Sequence, residues 1–149
     1  MIILNRTGQA PLTFEGRLLA EHIGDPGGLS KRRPIDLRLR VRHKDHRRFE
    51  VAVYQRTSGG YVLAVRYRSS YAAEAPHDWA MTCTTPADLV AALVGDVAYD
   101  PMGCVLGYPK GMPHYDQKQA RLAEEVRRKF SAQVAEVLRQ IPETHERVS

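Results

Sequence analysis

Three groups of residues in this 149-residue chain combine types and spacings that chemistry could use. The first is His43-x-x-His46, a spacing at which two imidazoles can share a metal ion. Lys44, Arg47 and Arg48 surround the pair, and a cationic setting opposes a divalent cation. Neither Cys83 nor Cys104 is adjacent to complete a ligand set, so no metal site is expected and the two histidines read as loop residues. The second group is Tyr99, Asp100, Cys104, Tyr108, Lys110, His114, Tyr115 and Asp116. Cys104 and His114 could serve as nucleophile and base. Cys104 precedes Val105-Leu106, however, and reads better as a small buried hydrophobe. Pro101, Gly103, Gly107, Pro109, Gly111 and Pro113 give this stretch the composition of a fixed loop that docks against something. Tyr108, His114 and Tyr115 are then the candidate partner-binding residues.

The third group is a set of arginines. Residues 1–75 hold 14 basic and 7 acidic residues, whereas residues 76–149 hold 8 and 10. Lys31 to Arg48 alone carries nine cations against Asp36 and Asp45. Such a run signals a solvated face or a surface that meets anions. From Ile35 to Arg42 the chain alternates strictly, with Ile35, Leu37, Leu39 and Val41 against Asp36, Arg38, Arg40 and Arg42. Alternation of period two predicts a half-buried strand whose arginines share the wet face. Phe49 to Arg56 predicts a second strand, and Thr57-Ser58-Gly59-Gly60 a tight turn. Tyr61 to Arg68 predicts a third strand, completing an antiparallel meander.

This register gathers Arg38, Arg40, Arg42, Arg56, Arg66 and Arg68 with Tyr54 on one open surface, opposed there by Asp36 and Glu50. Like charges side by side on neighbouring strands are destabilising, so such a surface calls for a cover. Nucleic acid could supply phosphates for the guanidinium forks and bases for Tyr54 to stack on. An acidic protein could supply carboxylates instead. A third cover is internal, with Glu124, Glu125 and Glu136 of a C-terminal helix laid across the sheet. Plain solvent is the remaining option. The chain contains no ribonucleoprotein aromatic motif, GxxG clamp or zinc knuckle, so this signal is electrostatic.

The elements that must position these groups follow from the same pattern. An early strand is expected around Leu12 to Glu21, although Leu18-Leu19-Ala20 would also suit a short helical turn; Gly24-Asp25-Pro26-Gly27-Gly28 closes it, and a short strand is expected from Trp79 to Cys83. That glycine cluster lacks the spacing and the lysine of a phosphate-binding loop, and no G-x-S-x-G elbow is present. Thr85-Pro86-Ala87-Asp88 opens a short helix that ends at Gly95. Leu122, Val126, Phe130, Val134, Val137 and Ile141 form one stripe of a helix from about Asp116 to Ile141, with a frayed polar tail after Pro142.

The chain length suits one domain, and its hydrophobic fraction of 43% excludes wholesale disorder. Two cysteines make no disulfide framework and point to a reducing cytoplasm. The longest apolar runs are far too short to span a membrane, and Met1 to Leu4 is too short for a secretory signal core. The expectation is a single α+β domain spanning 1–149. It comprises an antiparallel meander of four to five strands, then a short helix and a long C-terminal amphipathic helix packed on one face. The expected function is a non-enzymatic binding module without cofactor that holds a polyanion, above all nucleic acid, through the arginine face. The alternative is a regulatory factor that binds a protein through the 96–116 loop and terminal helix, with a homodimer through that helix as a further option.

Overall fold

The computed structural model describes residues 1–24, 47–95 and 98–146. The elements in chain order are β1 (Ile2–Arg6), β2 (Gln9–Phe14), β3 (Gly16–Ile23), β4 (Arg47–Arg56), β5 (Tyr61–Ser69), β6 (His77–Cys83), α1 (Pro86–Val94) and α2 (Tyr115–Arg139). Strands β3 to β6 form a four-stranded antiparallel sheet in sequential order, while β1 and β2 form a separate hairpin. The chain is therefore α+β, with a short helix and a long C-terminal helix after the meander, as the periodicity predicts.

Local sequence explains the joints. Gly59 and Gly60 carry positive φ between β4 and β5, where the Arg56 amide donates to the Gly60 carbonyl at 3.0 Å. At the start of α1, the Thr85 hydroxyl accepts from the Asp88 amide while the Asp88 carboxylate accepts from the Thr85 amide. The early strand expected around residues 12–21 is two strands, because the chain breaks at Glu15 between Phe14 and Gly16.

One sheet face packs on the helices. Phe49, Val51 and Val53 of β4 and Leu63, Val65 and Tyr67 of β5 bury themselves against Leu89 and Leu93 of α1 and Val126, Phe130, Val134 and Val137 of α2. Phe130 sits edge-on to Phe49 at 5.3 Å and also meets Tyr99 at 5.5 Å, which in turn meets Trp79 at 5.0 Å. Such ring pairs add about 0.5–1.5 kcal/mol each beyond the area they bury. Gln133 of α2 and Gln140, which caps its C-terminus, fix the height of the helix on the sheet. Gln133 donates to the Phe49 carbonyl at 2.8 Å, and the Gln140 amide brackets both backbone groups of Glu21 at 3.3 Å.

The opposite face departs from expectation. Val62 and Ala64 of β5 and Ala80 of β6 lie under the β1–β2 hairpin, packed with Leu4, Ile2, Leu12, Phe14 and Tyr54. The sheet is thus covered on both sides along its middle, and β5 is buried from Tyr61 to Val65. A strand buried on both faces reads as a continuous apolar run, which is what Tyr61-Val62-Leu63-Ala64-Val65 presents. The strand read at Ile35 to Arg42 lies outside the described residues. Beside β4, its expected place is taken by β3, with β5 on the other side. The polar tail is not wholly frayed, since Pro142–Thr144 makes a 3-10 turn whose Thr144 hydroxyl donates to the Leu138 and Ile141 carbonyls. No helix among the described residues is long and apolar enough to cross a membrane.

Candidate interaction surface

The arginines of the outer sheet face have neighbours that the sequence pattern concealed. Arg66 stands in register with Glu50 on one side and Asp78 on the other. Arg68 reaches Asp78 at 2.8 Å, and Arg48 reaches Glu50 at 3.6 Å. Asp78, from the fourth strand, is an acid that the three-strand meander left out of its charge tally. Opposite charges in adjacent positions stabilise a sheet, so this end of the face is a neutralised lattice. Arg56 lies at the far end of β4, in register with Gly16, and lines a shallow hollow with Arg17, Gln55 and Thr57. Tyr54 is half-buried and edge-on to Phe14 at 5.6 Å, a contact that occupies its ring. Arg38, Arg40 and Arg42 lie outside the described residues.

The internal cover takes a different form from the one expected. Helix α2 packs on the apolar face, away from these arginines. Glu125 pairs instead with Lys129 at 2.9 Å and Glu136 with Arg139 at 2.6 Å, both along the helix itself. Hairpin β1–β2 is the element laid over the outer face.

A second cluster forms at the end of the sheet where Arg47 begins β4. Glu74, in the connection from β5 to β6, is buried with its side chain only 2% exposed. Its carboxylate accepts from Arg47 Nε at 3.1 Å and Arg47 Nη2 at 3.0 Å, from the Ser69 hydroxyl at 2.7 Å and from the Leu106 amide at 3.1 Å. The Tyr67 hydroxyl donates to it as well. Burial alone would raise the Glu74 pKa, but these donors together hold it below the ordinary carboxylate value. Burial and the same hydrogen bond push the Tyr67 hydroxyl up. The Arg47 guanidinium also lies over the Tyr71 ring at 4.1 Å.

This carboxylate matters because it reaches across 32 residues to grip the loop before α2 at Leu106. The same loop is held twice more. The Tyr108 amide donates to Gln119 Oε1 at 2.6 Å, and Asp100 pairs with Arg127 at 3.2 Å. Asp100 also caps the 3-10 turn Pro101–Cys104 by accepting from the Met102 amide at 3.0 Å. Gly107 takes φ of 75° and Gly111 of 89°, so each turn of the loop sits where glycine belongs. The proline- and glycine-rich segment is therefore an ordered scaffold.

What this scaffold presents is apolar. Leu106 is 61% exposed, Tyr108 39% and Met112 37%. Beside them lies a cavity of about 210 Å³, lined by Arg47, Tyr71, Glu74, Leu106, Tyr108 and Leu122. Tyr115 opens α2 half-buried, and His114 precedes it in the left-handed region at φ of 57°. His114 is therefore the N-cap residue at which the loop turns into helix. Cys104 is half-buried, with its sulfur 3.7 Å from the Tyr99 hydroxyl. Burial, then that contact, raises the Tyr99 pKa. No hydrogen bond joins Cys104 to His114 among the described residues. Likewise, no three His, Cys, Asp or Glu side chains among the described residues gather as a metal site. His43 and His46 lie outside them.

Arg47 and Glu74 escaped the sequence reading as site residues. Glu74 has no local signature in Tyr71-Ala72-Ala73-Glu74-Ala75, since its donors come from three separate segments, β4, β5 and the loop at Leu106. No known family, curated protein or solved structure matches this chain.

Proposed function

We propose that the protein is a non-enzymatic interaction module that captures a protein partner through the 98–116 loop and the first turns of α2. The observation that carries this reading is the pairing of rigidity with exposure. Three polar tethers, from Glu74, Gln119 and Asp100, fix a loop whose Leu106, Tyr108 and Met112 side chains remain open to solvent. An ordered apolar surface loses little side-chain and backbone entropy on association, which favours its use as an anchor. Affinity capture from the native cells tests the reading. The wild-type chain retains a partner that Tyr108→Ala and Tyr115→Ala lose and Arg40→Glu keeps. The reverse pattern rejects it.

The second reading, polyanion binding, rests on a separate observation. Residues 25–46 hold seven cations against three acids, and so supply four of the chain's five net positive charges. Arg38, Arg40 and Arg42 are its principal contacts, and nucleic acid is the polyanion it favours. Arg68 and Arg48 contribute less to it, because Asp78 and Glu50 already neutralise them.

A further inference from the structure

The 210 Å³ cavity beside Tyr108 is small for a ligand site, since small-molecule pockets run to roughly 300–1,000 Å³. It suits one bulky side chain. Tyr71, Leu106, Tyr108 and Leu122 give it apolar walls, and at its base the Arg47–Glu74 pair is already satisfied. An entering side chain therefore meets no unmet carboxylate that it would have to neutralise. The charge on the adjoining loop and first turns of α2 is mainly positive. Lys118 extends over the Tyr108 ring at 5.8 Å, Lys110 and Arg121 are exposed on the loop and the first turns of α2, and Asp116 is the single acid between residues 106 and 121. Glu124 and Glu125 follow a turn further on, the first exposed and the second paired with Lys129.

We infer that this cavity is the anchor pocket for an acidic peptide segment of a partner protein, which inserts one leucine- or phenylalanine-sized side chain beside Tyr108. Its flanking carboxylates face Lys110, Lys118 and Arg121. The inference rests on the interaction reading above and adds the identity of the occupant. Apolar burial in the pocket supplies the affinity, while the adjoining positive charge selects against basic segments and speeds encounter. Ala73 lines the cavity and is exposed, so a larger residue there should narrow the space without disturbing the core.

The test is selection of a displayed library of random dodecapeptides on the full-length chain, followed by titration of the enriched peptides. Enriched peptides should carry a bulky apolar residue flanked by Asp or Glu. They should bind at least tenfold more weakly to both Tyr108→Ala and Ala73→Leu, and severalfold more weakly to Lys118→Glu. Peptides that depend on Tyr108 but are basic, or that bind Ala73→Leu as well as wild type, overturn the assigned occupant and leave the interaction surface standing. Enriched peptides indifferent to Tyr108, or no enrichment at all, overturn the pocket and count against the surface.

Discussion

Arg47 and Glu74 are joined by a fork in which Nε and Nη2 of the guanidinium both meet the carboxylate, at 3.1 and 3.0 Å. The two residues belong to different segments, the first of β4 and the connection after β5, and their pair holds a third, the loop at Leu106. A contact that is locally electrostatic thus fixes the shape of the surface where a partner is proposed to bind.

Removing one member of a buried pair leaves the other uncompensated. Glu74→Gln should therefore destabilise the fold by about 3 kcal/mol, the low end for such pairs because Arg47 is partly solvated. The sign of the pH effect follows from the lowered carboxyl. Stability from Glu74 is fully present above its ordinary pKa of 4.5 and disappears as pH falls through the depressed value. Asp100, Glu125 and Glu136 are depressed too and share the general acid sensitivity. The specific expectation is that the difference in melting temperature between wild type and Glu74→Gln narrows as pH drops from neutral to about 3. A gap that stays constant rejects the assignment.

The buried outer face yields a sharper stability test. Val62 is fully buried beneath the hairpin, so Val62→Lys must bury an ammonium or expel β1 and β2. Urea unfolding should show a loss of about 3 kcal/mol or more. A change within about 0.5 kcal/mol, the range for ordinary surface positions, would mean that this face is open after all.

How much of this was visible in the sequence differs by element. The β4–β5 hairpin, the Thr85 cap and the stripe from Leu122 to Val137 each depend on neighbours within one or two turns, and each appears where its pattern placed it. An internal cover was an option, but that the β1–β2 hairpin supplies it was not foreseen, because alternation shows that one side of a strand is apolar and cannot show what lies on the other. Val62 and Ala64 were nonetheless apolar on the face assigned to arginines, which was the available clue. Asp78 entered the charge lattice through β6, a strand the arginine argument had not paired. The site at Glu74 had no local signature, since Arg47, Tyr67, Ser69 and Leu106 converge only through the tertiary fold.

Gly107 offers a way to loosen the loop without touching its exposed side chains. Its φ is positive, and a methyl group there would collide with the Gln119 side chain that holds the Tyr108 amide. Gly107→Ala should weaken partner binding about tenfold while leaving the far-ultraviolet circular dichroism unchanged. Gly111→Ala has the same positive φ but no atom within 4 Å of the added methyl, and serves as the control for backbone strain alone. Equal losses in both variants would remove Gln119 from the account.

The polyanion reading makes a prediction of its own. If about five phosphates are neutralised, the logarithm of affinity for duplex DNA should fall with the logarithm of salt concentration at a slope of about −4 to −5. Charge reversal at Arg38, Arg40 and Arg42 should flatten that slope, and reversal at Arg68 should change it less because Asp78 already holds it. Binding without salt dependence, or an equal effect from Arg68, would reject this reading.

Amide hydrogen exchange on the full chain, with and without the partner captured from its native cells, tests the central claim most directly. Binding should slow exchange across residues 104–122, including the Leu106 and Tyr108 amides, and leave 31–44 unchanged. Slowed exchange confined to 31–44, with the loop indifferent to the partner, would contradict it.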